Sequence, residues 1–282
     1  MAKTWVLAIP VVFVLLLGFA FFYPKVENSF VYYPARDYTM LPSDWGLMFE
    51  DLPFEARDGT KLHGWYFPGS GKGPVVLFSH GNAGNISDRI DNIRRLLDCG
   101  LQVFIYDYRG YGKSAGKPSE AGIYKDGLAA WDALVKQKNI LPDNIVLFGR
   151  SLGAAVAIEI ATKRKARALI IESAFTSTKD MAKGMFLFQL FSPFLPAHYN
   201  NLVKIKGVSI PKLIIHGTND ELVPFRMGKE LYDSALDPKT FFPIRGAGHN
   251  DTYVVGGKVY FEKFCGFAKA AFLTLDFQEK GR

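Results

Sequence analysis

Between residues 74 and 244 the chain repeats one pattern, a short uninterrupted apolar run followed by a segment of helical periodicity. The runs fall at residues 74–79, 101–106, 144–148, 168–171, 212–215 and 240–244. Strand-length runs without polar alternation are buried on both faces, and helices between them act as crossovers joining parallel strands. The intervening helices are expected near residues 86–98, 120–137, 152–162, 226–234 and 253–272. Two further strands, 49–56 and 60–67, precede the repeat and flank Asp58-Gly59, a hairpin turn signal. This predicts an α/β protein with a mostly parallel, doubly wound sheet, organised as one domain over residues 29–282. A chain of 282 residues buries enough apolar surface in one core to need no staple. The two cysteines, Cys99 and Cys265, are read as packing residues, because two thiols far apart in sequence are no disulfide framework.

One region breaks the alternation. Residues 174–205 carry Met185-Phe186-Leu187-Phe188-Gln189-Leu190-Phe191 followed by Pro193 and Pro196. The segment is too long for a plain connection, and its place after a sheet strand predicts a small helical cap with Met185, Phe188 and Phe191 facing substrate. The alternative is that these aromatics close the core.

Residues 5–23 form a charge-free apolar run of 19 residues, long enough to cross a bilayer core of about 30 Å as a helix. Trp5 at one end and Phe21, Phe22 and Tyr23 at the other fit interfacial anchors, and Gly18 to Pro24 is a poor signal-peptidase site. Residues 1–28 are therefore read as an uncleaved membrane anchor with its flank. Lys3 precedes the run, while Lys25 is offset by Glu27, which places the amino terminus in the cytoplasm and the catalytic domain outside. Residues 24–43 read as an irregular aromatic connector. The net charge of +7 favours an anionic neighbour, but the densest basic run, Lys163, Arg164, Lys165 and Arg167, follows a helix end and is read as a solvated face. There is no nucleic-acid motif.

The chemistry sits at strand ends. Gly149-Arg150-Ser151-Leu152-Gly153 lies between an apolar strand and an alanine-rich helix, the setting of a nucleophilic serine on a sharp turn. A serine hydroxyl needs a base and a third group to fix the tautomer of that base. His249, in the loop after strand 240–244, and Asp220, in the loop after strand 212–215, supply them in the order Ser, Asp, His. Of the other histidines, His63 lies in the early hairpin, His198 in the insertion, and His80 and His216 brace turns. Glu172, at the end of strand 168–171, is the rival acid; Glu221 is the local one, with its side chain expected to point away. The tetrahedral intermediate needs two N–H donors, for which Leu152 and Asn82 of His80-Gly81-Asn82-Ala83-Gly84-Asn85 are the candidates. The lysine and hydroxyl of a phosphate loop are absent there, and no metal or cofactor is called for.

Taken as a set, several motifs resemble the bud-emergence group of membrane-anchored alpha/beta hydrolases from about Phe30 onward. They are Asp58-Gly59 with Leu62-His63-Gly64-Trp65, His80 to Asn85, Asp107-Tyr108-Arg109-Gly110-Tyr111-Gly112-Lys113-Ser114, the serine turn, Glu172-Ser173-Ala174-Phe175 and the two downstream loops. Relatives of that group include the alpha/beta-hydrolase-domain depalmitoylases. The resemblance implies the alpha/beta-hydrolase fold and hydrolysis of an ester or thioester, and makes the 107–114 segment a structural turn beside the site. With an anchor and an apolar insertion, the substrate is read as a small-molecule or lipid-like acyl compound. Two other readings are a serine aminopeptidase and a silent membrane-tethered scaffold. The former needs acidic groups for the substrate amine, and residues 181–205 hold no Asp or Glu; the latter has no use for Ser, His and Asp in this arrangement.

Overall fold

The computed structural model describes residues 28–70, 73–183 and 196–279. Its strands are β1 (Tyr33–Pro34), β2 (Glu50–Glu55), β3 (Lys61–Phe67), β4 (Val75–Ser79), β5 (Ala83–Gly84), β6 (Gln102–Asp107), β7 (Ile145–Arg150), β8 (Ala168–Glu172), β9 (Lys212–Gly217) and β10 (Lys239–Ile244). The main helices are α1 (Ile90–Asp98), α2 (Glu120–Lys136), α3 (Leu152–Lys163), α4 (Thr178–Lys183), α5 (Asn201–Lys204), α6 (Phe225–Ser234) and α7 (Thr252–Glu279).

Eight strands form one sheet in the order β10-β9-β8-β7-β4-β6-β3-β2. The pairs from β10 through β6 are parallel, and β3 pairs antiparallel with both β2 and β6. This is the expected doubly wound α/β architecture with an antiparallel hairpin at one edge. Successive side chains of each strand enter opposite layers. Leu77, Leu147, Leu169 and Ile171 pack with α2 and α3 on one face. Val76, Phe78, Val146, Phe148 and Ile170 pack with α1 and α7 on the other. Helix α3 is buried nearly all round, which is why it reads as continuous apolar sequence rather than as a striped helix. The order in which strands are added reverses about β4, whose neighbours β6 and β7 lie on either side, and in open α/β sheets sites lie beyond the carboxyl ends of the strands at such a switch point.

The hairpin turn forms as expected, with Gly59 at φ 79°. It docks onto the segment that follows β6 through Arg109, which binds buried Asp126 of α2 (2.7 Å) and Asp58 of the hairpin (3.1 Å). Removing one partner of a buried pair of this kind typically costs about 3–5 kcal/mol, because the other charge is left without compensation. Asp107 accepts hydrogen bonds from Tyr38 Oη (2.6 Å) and the Ile86 N–H (3.1 Å), and burial pushes its carboxyl up to about 6. Residues 107–114 are thus a structural turn held by two buried carboxylates.

Several expectations are corrected. Cys99, at the end of α1, and Cys265, on α7, form a disulfide with their Cα atoms 6.2 Å apart. Packing of both helices on one sheet face brings together two thiols 166 residues apart, which no local pattern shows. The connector is not wholly irregular, because β1 pairs in parallel with β5. Arg167 is buried rather than solvated and donates to the Asp143 carbonyl, while Lys163 and Arg164 pair with Glu159 and Asp132. Helix α7 runs past residue 272 and is broken at Gly257, φ 51°.

The apolar run at residues 5–23 lies outside the described residues, as do Met185, Phe188 and Phe191 of the insertion. Among the described residues no helix is long and apolar enough to cross a membrane. The described parts of the insertion include α4 and α5, and Asn201 Nδ2 ties its return to the Phe175 carbonyl (2.9 Å).

Candidate active site

The turn between β7 and α3 holds Ser151 at φ 53° and ψ −117°, a conformation that costs a non-glycine residue about 1–3 kcal/mol. The surroundings impose it. A Cβ at Gly149 would lie 2.2 Å from the Gly153 carbonyl oxygen, and one at Gly153 would lie 1.9 Å from the Ser79 carbonyl oxygen. Only glycine at both positions lets β7, α3 and β4 approach this closely. The Ser151 N–H donates to the Glu172 carbonyl (2.9 Å), which pins the turn to the end of β8.

The loops after β9 and β10 are fastened to each other. The Thr218 N–H donates to the Ile244 carbonyl (3.0 Å), the Asn219 N–H to the Ala247 carbonyl (2.9 Å), and the Gly246 N–H to Thr218 Oγ1 (2.9 Å). A Cβ at Gly217 would meet the Ala247 oxygen at 2.4 Å, so this contact also requires glycine. The result is a fixed geometry for two side chains, in which His249 Nδ1 lies 3.0 and 2.9 Å from the Asp220 carboxylate oxygens. His249 Nε2 lies 3.0 Å from Ser151 Oγ. A carboxylate only accepts, so Nδ1 carries the proton and Nε2 is left to accept from the serine hydroxyl. Burial alone would raise the Asp220 carboxyl; hydrogen bonds from His216, His249 and the Val223 N–H outweigh it and hold the group well below the usual carboxylate range. Asp220 is thus an anion facing the imidazole.

Glu172 is engaged elsewhere. Its oxygens pair with Arg150 Nε (3.1 Å) and accept from the Thr252 and Tyr260 hydroxyls. Arg150 in turn donates through Nη2 to the His249 carbonyl (3.0 Å). Arg150 and Glu172 are register partners at the ends of β7 and β8, both of which extend past the runs 144–148 and 168–171 expected from sequence. Glu221 does not point away: its Oε2 accepts the His249 N–H (3.2 Å). His249 is therefore gripped at its N–H by Glu221, at its carbonyl by Arg150 and at its ring by Asp220.

The loop after β4 closes the other side of Ser151, where a Cβ at Gly81 would lie 3.8 Å from Ser151 Cβ. Among the described residues, neither the Leu152 N–H nor the Asn82 N–H has a hydrogen-bond partner. His80 is fully buried, and burial pushes its imidazole down to about 3, so it is neutral and Nδ1–H donates to the Gly81 carbonyl (2.7 Å). His216 braces its own turn from Nε2 to the Val223 carbonyl (2.9 Å). Of the residues singled out from sequence, Ser151, His249 and Asp220 form one hydrogen-bonded line, with Asn82 in the loop after β4 and Leu152 at the first position of α3. Among the described residues no cluster of metal-ligating side chains is present.

Residues 72–204 match the family model described as Hydrolase_4, serine aminopeptidase S33. The chain is 35% identical to the Alpha/beta hydrolase domain-containing protein WAV2 of Arabidopsis thaliana over 263 residues, covering 84% of this chain and 85% of that protein. It is 35% identical to the human Alpha/beta hydrolase domain-containing protein 17B over 208 residues, covering 71% of this chain and 68% of that protein. Among solved structures, the Pyrococcus furiosus esterase Pf2001 superposes with a TM-score of 0.69 at 23% identity, over 85% of this chain and 97% of that one, a likeness of fold.

Proposed function

The chain belongs to the alpha/beta-hydrolase family, and from that premise we propose that it is a membrane-anchored serine hydrolase cleaving carboxylic ester or thioester bonds of acyl or lipid-like substrates. The observation that carries the reading is the line from Ser151 Oγ through His249 to Asp220. In this reading Ser151 Oγ attacks the acyl carbon as His249 Nε2 takes its proton, and the carbonyl oxygen becomes an oxyanion received by the Leu152 and Asn82 N–H groups. The imidazolium, stabilised by Asp220, then protonates the leaving alkoxide or thiolate as the acyl–oxygen or acyl–sulfur bond breaks. A water deprotonated by His249 hydrolyses the acyl-serine and returns the proton to Ser151.

The substrate class rests on the apolar run from Met185 to Phe191 and the lack of Asp or Glu over residues 181–205. A pocket lined by Met185, Phe188 and Phe191 rewards each added methylene by up to about 0.8 kcal/mol until it is full. In a series of acyl esters and thioesters, kcat/KM is expected to rise about fourfold per methylene at most and then level or fall. Phe188→Ala is expected to move that maximum. The family model's description favours a second reading, an aminopeptidase, and aminoacyl amides cleaved in preference to acyl esters would establish it in place of the first.

The same reading places the catalytic domain on the outer face of the membrane. The apolar run at residues 5–23 supports the anchor, and the Cys99–Cys265 disulfide supports an oxidising compartment, since cytosolic thiols are kept reduced. Carbonate extraction with intact-mass measurement tests it: the full-length chain is expected in the membrane pellet, and a soluble product beginning after Ala20 would overturn it.

A further inference from the structure

The connector that follows the apolar run is bonded to the loop that carries Asn82. Strand β1 lies parallel to β5 with Tyr33 opposite Ala83 and Pro34 opposite Gly84. The Tyr33 N–H donates to the Asn82 carbonyl (3.1 Å), and the Ala35 N–H donates to the Gly84 carbonyl (3.1 Å). In the other direction Asn82 Nδ2 donates to the Val31 carbonyl (3.0 Å), and Asn85 Nδ2 donates to the carbonyls of Ala35 (3.3 Å) and Asp37 (2.7 Å). Tyr111 Oη adds a second donor to the Asn82 carbonyl (2.8 Å).

These bonds leave Asn82 one free direction. The peptide plane before its Cα is fixed by His80 Nδ1 on the Gly81 oxygen, and the plane after it by Tyr33 and Tyr111 on its own oxygen. Its side chain is turned away toward Val31. With both planes and the side chain held, the N–H direction is set, and it has no partner among the described residues. A preorganised donor of this kind is worth most when it need not reorient during the reaction. The same connector touches the return of the insertion, where the Tyr32 and Tyr199 hydroxyls are hydrogen-bonded and the Tyr199 N–H is held by Glu120 (2.6 Å).

We infer that residues 31–37 are a positioning element for the oxyanion hole: the connector aims the Asn82 N–H at the reacting carbonyl through Val31 and Tyr33. The inference rests on the reading of Ser151 as nucleophile and Asn82 as oxyanion donor. It makes the catalytic site complete only when residues 31–37 are paired with the loop that carries Asn82.

The Tyr33 side chain is half exposed, so its backbone N–H can be tested apart from its ring. Proline lacks that N–H. In the full-length protein, Tyr33→Pro is expected to lower kcat about 10- to 100-fold with KM within twofold, less than the 10²–10³-fold loss of a whole oxyanion donor. The inactivation rate by a fluorophosphonate, whose phosphoryl oxygen occupies the same hole, is expected to fall by the same factor. Tyr33→Ala keeps the N–H and is expected to lose at most about a fifth as much as Tyr33→Pro in both. Asn82→Ala keeps its own N–H but loses the bond to Val31; it is expected to lower kcat about tenfold, which preserves the test if Tyr33→Pro does not fold. Ser151→Ala is run alongside. If it is inactive while folded Tyr33→Pro and Asn82→Ala keep wild-type kcat and inactivation rates, the connector's role is refuted and the nucleophile stands. If Ser151→Ala is as active as wild type, the underlying reading fails. A rise in KM at unchanged kcat in the connector variants also overturns the inference, since a displaced oxyanion donor acts on the transition state and not on ground-state binding.

Discussion

Ser151→Ala is expected to reduce ester hydrolysis by about 10⁴-fold or more in kcat, with the thermal midpoint close to that of the wild type. The size follows from chemistry rather than from packing. The change deletes one hydroxyl from a half-buried turn, and the bonds that fix the turn, Ser151 N–H to the Glu172 carbonyl and Ala154 N–H to the Ser151 carbonyl, belong to the backbone and survive. His249, Asp220 and the two backbone donors remain in place, yet without Oγ no acyl-enzyme can form. What is left is the modest catalysis that an oxyanion hole and a binding site provide to an attacking water. Turnover of a chromogenic ester is the measurement, and wild-type activity in this variant would remove Ser151 from the mechanism.

The second large effect separates two carboxylates close to the same histidine. Asp220→Asn is expected to cost about 10⁴-fold in kcat, because the amide no longer fixes Nδ1 as the protonated nitrogen or stabilises the imidazolium. Glu172→Gln is expected to behave differently. Glu172 is fully buried against Arg150, and neutralising it leaves the guanidinium uncompensated, a loss of about 3–5 kcal/mol of stability by the usual cost of breaking a buried pair. Its effect on kcat passes only through the Arg150 bond to the His249 carbonyl and is expected to stay within about tenfold. Paired measurements of kcat and denaturant midpoint therefore give opposite patterns for the two variants. An inactive but stable Glu172→Gln beside an active Asp220→Asn would transfer the acid to Glu172.

The elements that could be read from sequence are those whose environment repeats along the chain. Strands β4, β6, β7, β8 and β9 are buried throughout, so each has an apolar centre without polar alternation, and the loops at their carboxyl ends announce where the site must be. Ser151 and Asp220 were legible for that reason, since each follows such a strand, whereas His249 follows β10, an edge strand that is only partly buried, and was legible from its glycine-bearing loop after an apolar run. Strand β1 gave no such signal. It is two residues long with both side chains exposed, and its role lies entirely in backbone N–H and carbonyl groups, which carry no residue code. The Cys99–Cys265 bond depends on how α1 and α7 pack on one sheet face, a long-range fact. The turn of Glu221 toward the His249 N–H depends on the relative path of two loops, and sequence adjacency to Asp220 suggested the opposite direction. Arg150 was hidden inside the serine motif as a variable position, although its register opposite Glu172 follows once β7 and β8 are paired.

The central claim is that Ser151 is the nucleophile of a covalent hydrolase mechanism, and peptide mass mapping after reaction with a fluorophosphonate tests it most directly. The expected result is one stoichiometric phosphonyl adduct on the peptide containing Ser151, formed with loss of fluoride and absent from Ser151→Ala. An adduct that persists in Ser151→Ala, or a folded wild-type protein that takes up no probe, would contradict it.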